Sequence, residues 1–306
     1  MQISKLTLGT AQLGLEYGIA NKSGKPEFSS ALELLEYSWR HGINSFDTAP
    51  AYGNSEEIIG AFIETIVNST GDVVIVSKLP GIPDIESLSM EELYDRVKTS
   101  VLNSLRALRL QSLPVYLLHR PSELFSSENG FLLDCLERIK DEGLVEKIGV
   151  SIYEPNEAEL ALTYKELKTI QIPINVFDHR LIDSGILDKL KNRGFLVFAR
   201  SVFLQGLCLL QPDSIPEYLN EAKPMVMQLH DIAMKYNMDL DAMCFLFARD
   251  LPGITSVVVG SETIEQIKRN ISILKLPRIK SPLTREIIET FQSVPEYIIN
   301  PSKWNK

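Results

Sequence analysis

Val73-Val74-Ile75-Val76-Ser77-Lys78, halted by Leu79-Pro80-Gly81, is a short β-branched run that ends on an ionisable residue and meets a turn signal at once. Seven further runs of this kind recur along the chain: Lys5 to Thr10, Ser45 to Asp47, Val115 to His119, Lys147 to Ser151, Thr169 to Ile174, Phe195 to Arg200 and Ser256 to Gly260. Stretches with helical spacing separate them: Ser29 to His41, Ser55 to Ile66, Met90 to Leu108, Phe131 to Glu142, Asn156 to Leu167, Ile186 to Asn192, Pro216 to Met238, Leu240 to Arg249 and Ile264 to Leu274. Strand and helix alternate, which predicts an α/β fold with parallel strands. Eight such units, with no shift in composition to mark a second lobe, favour a closed (β/α)8 TIM barrel over an open doubly wound sheet. The expected organisation is one domain over 1–306, in which 280–306 forms a further helix, Thr284 to Ser293, and then extended chain that wraps the barrel mouth.

Composition removes several classes of function. A net charge of -9 argues against a nucleic-acid partner, which demands a basic face. No apolar run reaches the length of a membrane span, and Met1 to Gly9 carries one basic residue before a very short apolar stretch, unlike a signal peptide. Cys135, Cys208 and Cys244 are far apart and set in apolar runs, which suits buried thiols of a cytoplasmic protein. His41, His119, His179 and His230 are scattered, so no metal site is expected.

In a barrel the reactive groups stand at the carboxyl ends of the strands. Three neighbouring runs supply one ionisable group each: Asp47 before Thr48-Ala49-Pro50, Lys78 before Leu79-Pro80-Gly81, and His119 before Arg120-Pro121. Strands about 4.8 Å apart would bring an acid, an ammonium and an imidazole to one rim. Tyr52, five residues past Asp47, lies on a loop short enough to fold over that mouth. Singly, Asp47 reads as a turn cap, His119 as a structural histidine, Lys78 as a solvent-seeking strand end and Tyr52 as a loop aromatic. Together they form a proton-transfer device, in which the Lys78 cation is expected to lower the phenol pKa of Tyr52 while Asp47 holds Lys78 and His119 orients a carbonyl.

Phe46-Asp47-Thr48-Ala49-Pro50-Ala51-Tyr52-Gly53-Asn54-Ser55-Glu56 strongly resembles the Asp-Thr-Ala-x-x-Tyr-Gly-x-Ser-Glu signature of the aldo-keto reductases. Val76-Ser77-Lys78, Tyr116-Leu117-Leu118-His119-Arg120-Pro121 and Ile148-Gly149-Val150-Ser151 are similar to the family's lysine, histidine and fifth-strand motifs, in order, and the likeness continues through Gln205-Gly206-Leu207 to Gly260 and Asn270. The resemblance implies a tetrad of Asp47, Tyr52, Lys78 and His119 acting with NADPH or NADH and no metal on a small-molecule carbonyl substrate. It also implies cofactor contacts from Thr10, Ala11, Asp47, Ser151, Gln171, Arg200, Ser201, Phe203, Gly260, Ser261, Gln266 and Asn270. Ser151 and Gln171 would hold the nicotinamide carboxamide, Ser201 to Leu204 would follow the pyrophosphate, and Gly260 to Asn270 would surround the adenosine.

Three positions depart from the family pattern. Arg200 stands where an aromatic ring often stacks on the nicotinamide, and Ile152 follows Ser151 where the family has asparagine. Glu262 occupies a position often held by a cation in NADPH users, leaving NADH open, with Lys268 or Arg269 as substitutes for that cation. His179 and Arg180 suggest an anionic or sugar-like substrate. The specificity loops are expected at Leu13 to Pro26, Glu123 to Gly130, around Asp178-His179-Arg180 and after Lys280. The principal function expected is reversible carbonyl reduction, and the alternative is a regulatory barrel subunit that binds a nicotinamide cofactor without significant turnover.

Overall fold

In the computed structural model, which describes residues 1–21, 23–66, 73–125 and 130–304, eight strands close on themselves in chain order. They are β1 (Leu6–Gly9), β2 (Ser45–Asp47), β3 (Val74–Leu79), β4 (Leu113–Leu118), β5 (Val145–Ser151), β6 (Thr169–Pro173), β7 (Leu196–Arg200) and β8 (Ser256–Gly260). Every neighbouring pair is parallel, and β8 returns to β1. This is the (β/α)8 barrel that the eight β-branched runs predict, with strand limits within one or two residues of those runs.

Around the strands lie α1 (Phe28–Arg40), α2 (Ser55–Thr65), α3 (Met90–Leu108), α4 (Phe131–Asp141), α5 (Pro155–Ala161), α6 (Ile186–Asn192), α7 (Lys223–Lys235), α8 (Leu240–Asp250), α9 (Ile264–Leu274) and α10 (Ser281–Thr290). Two helical stretches are shorter than their spacing predicts. α5 stops at Ala161 because the N–H and the hydroxyl of Thr163 both bond the carbonyl of Leu160, closing the last turn tightly. The stretch from Pro216 is a 3-10 turn, Glu217–Ala222, before α7 restarts around Pro224, whose missing N–H is tolerated only in a first helical turn.

The two-residue period of the strands divides the core. Val74, Val76, Val115, Leu117, Phe198 and Val258 fill the barrel interior, and Thr7 bonds Ser45 and Ser256 near its floor. The alternate side chains, such as Ile75, Tyr116, Ile148 and Val197, pack outward against the helices in one large cluster. Continuing the inward series by two residues reaches Lys78 after Val76, His119 after Leu117, Asp47 after Ser45, Arg200 after Phe198 and Gln171 after Thr169. The pleat that fills the barrel therefore also turns these polar groups into its mouth.

The tail is more helical than expected: α10 begins three residues early, and short helices at Glu296–Ile299 and Pro301–Lys303 replace extended chain. It docks beside the loops after β5 and β6, where Phe291 meets Phe177 edge-on and Asn300 donates to Glu154. Residues 126–129, within the expected loop from Glu123 to Gly130, lie outside the described residues. No helix of the described residues is long and apolar enough to cross a membrane.

Candidate active site

Lys78 is completely buried. Its ammonium donates to Asp47 Oδ1 at 2.8 Å and to the Thr48 carbonyl at 2.9 Å. Burial pushes the Lys78 pKa down while the Asp47 carboxylate pulls it back up. Asp47 Oδ1 also accepts from Gln171 Nε2 at 2.7 Å, and Gln171 Oε1 accepts from Ser151 Oγ at 3.2 Å. One hydrogen-bonded chain thus links β5, β6, β2 and β3 across the mouth.

Tyr52 is fixed by a close crossing of two backbones. The Tyr52 N–H bonds the Ala49 carbonyl at 2.9 Å, and a Cβ on Gly14 would lie 1.7 Å from the Tyr52 carbonyl oxygen. Gly53 has φ +59 and its backbone approaches Gly14 in turn, so only glycine pairs let the loop after β1 support the tyrosine turn. From the other side, buried Glu56 in the first turn of α2 accepts from Ser77 Oγ at 2.6 Å, tying the helix after Tyr52 to β3 beside Lys78.

The Lys78 nitrogen lies 4.9 Å from the Tyr52 ring centroid, and His119 meets that ring edge-on with centroids 6.0 Å apart. The expected lowering of the Tyr52 pKa by Lys78 is not what this geometry produces. Burial and then the Asp47 carboxylate push the phenol above its ordinary value, and Arg200 pulls the other way. Burial, with Lys78 and Arg200 nearby, pushes His119 down to about 3, so its imidazole is neutral at neutral pH.

These groups open into a cleft of about 530 Å³ that runs from β2 past β7 to α8 and α9. Asp47, Tyr52, His119, Ser151, Gln171 and Arg200 line one end. Glu262, Glu265, Gln266, Arg269, Asn270 and Asp241 line the other. Ala11, Ser201, Phe203 and Gly260 lie between, within a wall whose Ser201, Leu204 and Gln205 all adopt left-handed φ. Three such non-glycine residues in one short turn store about 1–3 kcal/mol of strain each, a pattern that clusters at ligand-binding segments. Gln205 also reaches over the cleft: its carbonyl accepts from Ile19 N–H at 3.1 Å and its amide donates to the Tyr17 hydroxyl at 3.2 Å. Among the described residues, the loop after β1 is therefore the one expected specificity loop that lines the cleft.

Several expected contacts fall elsewhere. Thr10 is buried against the Asp47 carbonyl at 2.8 Å and Ser55 Oγ at 2.6 Å, bracing β2 and α2 and not lining the cleft. Ser261 is likewise behind the wall, accepting from Asn270 at 3.2 Å. Lys268 lies off the cleft near Glu265, and Arg269, which lines the cleft, is paired with Asp239 and Asp241 at 2.6 to 2.8 Å. His179 is bonded to Asp183 and the Phe291 carbonyl, while Arg180 is spent on Asp178, Glu154 and the Tyr153 carbonyl. That basic pair holds loops and tail together, and neither residue lines the cleft. Tyr153 and Asp241, outside the set that the sequence motifs mark, also line the cleft. Tyr153, two residues past Ser151, follows the same strand-end rule as the others, whereas Asp241 sits at a helix start that no strand period points to.

A closed parallel barrel whose strand ends gather a buried Asp-Lys pair, a tyrosine and a neutral histidine over a long cleft has the frame of a barrel oxidoreductase. The chain belongs to the aldo/keto reductase family: the model of that family matches residues 5–289. It is accordingly an NAD(P)-dependent oxidoreductase. Among its relatives, the uncharacterized oxidoreductase YqkF of Bacillus subtilis is 27% identical, over 94% of this chain and 95% of its own. L-galactose dehydrogenase of Arabidopsis thaliana is 24% identical, over 89% and 84%. The aldo-keto reductase AKR11C1 of Bacillus halodurans, solved in its holo form, superposes with a TM-score of 0.75 at 18% identity, covering 94% of this chain and 92% of that one.

Proposed function

We propose that this chain reduces an aldehyde or ketone to an alcohol with NADH, and that Tyr52 gives the proton. The observation that carries the reading is Lys78 buried between Asp47 and the Tyr52 ring, 2.8 Å from the one and 4.9 Å from the other, beside a neutral His119. The residues fit a nicotinamide cofactor. Gln171 and Ser151, though bonded to each other, each retain hydrogen-bonding capacity toward a carboxamide. The cleft continues past the strained Ser201–Gln205 turn to Asn270, the course an extended dinucleotide would follow. When bound, that cofactor supplies the hydride.

Tyr52 holds its proton at neutral pH because burial and Asp47 favour the uncharged phenol. As charge builds on the carbonyl oxygen, the Lys78 ammonium stabilises it and the phenol hydroxyl donates, since an alkoxide is a stronger base than a phenolate. His119, neutral, orients the same oxygen by hydrogen bonding without adding charge.

Preference for NADH rests on the far end. Asp241, Glu262 and Glu265 confront a single Arg269 that Asp239 and Asp241 already neutralise. A 2'-phosphate carrying about -1.5 to -2 would meet net negative charge there, whereas a ribose hydroxyl would not.

Tyr52→Phe tests the reading. Its kcat is expected to fall about 10²- to 10⁴-fold with NADH binding retained in a fluorescence titration. Undiminished turnover in that variant would overturn the assignment.

A further inference from the structure

Behind the turn that carries Tyr52 lies a second cavity, of about 440 Å³, between α2 and α3. Pro50 and Gly53 of that turn line it on one side, so the turn separates it from the cleft that Tyr52 lines. α3 forms the opposite wall. Its helical period sets Ser104 one turn after Ser100 and Asn103 one turn after Thr99, so two adjacent polar rows face the space where a packing helix ordinarily carries apolar groups.

Glu56 decides what this cavity can hold. The residue is 6% exposed, and among the described residues no cation lies within ion-pair distance of its carboxylate. Ser77 Oγ donates to it at 2.6 Å, while the neighbouring Lys78 ammonium is engaged by Asp47 and the Thr48 carbonyl. Burial pushes the Glu56 carboxyl above its ordinary range, and Ser77, Ser104 and Lys78 only partly draw it back. Ser104, 1% exposed, approaches the same carboxylate, yet its hydroxyl has no hydrogen-bond partner among the described residues. Arg96, at the mouth, donates instead to the Pro83 carbonyl at 3.3 Å. Buried polar groups are ordinarily paired, so a carboxylate without a counter-charge and a hydroxyl without a partner, side by side on one cavity, mark a place for a ligand that supplies both.

We infer that this cavity is a second binding site, and that it takes a small hydroxylated amine in its ammonium form. The ammonium donates to Glu56 and to Ser104 Oγ, and the ligand's hydroxyls meet Thr99 and the Asn103 amide on α3. An anion would confront Glu56 and, at the rim, Glu57. A divalent metal needs several oxygen ligands with more than one carboxylate, and among the described residues no three His, Cys, Asp or Glu side chains gather to hold one. The volume falls in the range of roughly 300–1,000 Å³ typical of small-molecule sites. The inference stands apart from the reductase reading, because it concerns the far side of the Tyr52 turn and its test reads no turnover.

The test is a ligand-detected NMR titration of the full chain with serinol, with glycerol, which replaces the ammonium of serinol by a hydroxyl, and with glycerate. The wild type is expected to bind serinol about tenfold more tightly than glycerol and glycerate least. Glu56→Gln should bring the serinol-to-glycerol ratio near one, and Ser104→Ala should weaken serinol about threefold to tenfold. Glu56 also ties α2 to β3, so a variant that spares that tie is needed beside it. Thr99→Trp fills the cavity from the exposed side of α3; it should melt at the wild-type temperature and lose serinol binding. No binding of serinol by the wild type, or equal binding of serinol and glycerol, would overturn the site. So would a serinol preference that persists undiminished in both Glu56→Gln and Thr99→Trp, because the amine would then sit among Asp241, Glu262 and Glu265 of the main cleft.

Discussion

At the strand-end side of the cleft, Asp47, Lys78 and Gln171 are buried on three different strands, with Lys78 and Gln171 each bonded to Asp47. At the α8–α9 side, Asp241, Glu262, Glu265 and Arg269 sit on helices and loops, and both Glu265 and Arg269 are exposed. The first set is positioned by the barrel pleat and cannot move without moving the core. The second is free to exchange ion partners and is screened by salt. The comparison teaches where a charge change should be structural and where it should only retune binding.

Removing Asp47 is the strongest way to break it. Asp47→Ala leaves the Lys78 ammonium buried and unpaired, which should cost about 3–5 kcal/mol in chemical denaturation, besides abolishing turnover. Replacing both partners, Asp47→Ala with Lys78→Met, should recover most of the stability and none of the activity. If Asp47→Ala alone proved as stable as the wild type, the pair would not be the buried unit described.

The far end should respond without any loss of fold. Glu262→Lys is expected to shift the ratio of NADPH to NADH dissociation constants about tenfold to a hundredfold toward NADPH at low salt, roughly 1.4–2.8 kcal/mol, with the gain shrinking as salt rises. An unchanged ratio would remove the electrostatic basis for NADH preference. In the wild type Glu262 accepts from Gln266 Nε2 at 2.7 Å, so thermal stability of the variant should be checked alongside.

The same contrast explains what could be read from the chain alone. The eight runs gave the barrel because each strand writes its two-residue period locally, and that period also placed Asp47, Lys78, His119, Gln171 and Arg200 on the inner face. Side-chain pairing across the chain has no such local mark. Thr10 and Ser261 look like wall residues by position but turn behind the wall to bond Asp47, Ser55 and Asn270. Arg180, two residues from Asp178 in sequence, is paired with it and with Glu154, while among the described residues no carboxylate lies within ion-pair distance of Arg200. The pKa of Tyr52 departs from the sequence expectation for a related reason: a nearby cation is visible in sequence order, but the depth of burial and the approach of Asp47 are not.

The smallest expected effect sharpens the electrostatics of the buried end. His119 has a folded pKa of about 3 against an ordinary value of 6.5, so between those limits the unfolded chain binds the extra proton and stability falls as pH drops. His119→Gln removes that term. Relative to pH 7.5, the wild type should lose roughly 1 kcal/mol more than the variant at pH 5.5, measured by urea denaturation at both pH values. A difference of the opposite sign would mean that His119 gains a proton partner on folding, most simply Asp47 released from Lys78, and the neutral imidazole assigned to the carbonyl would then be a charged one.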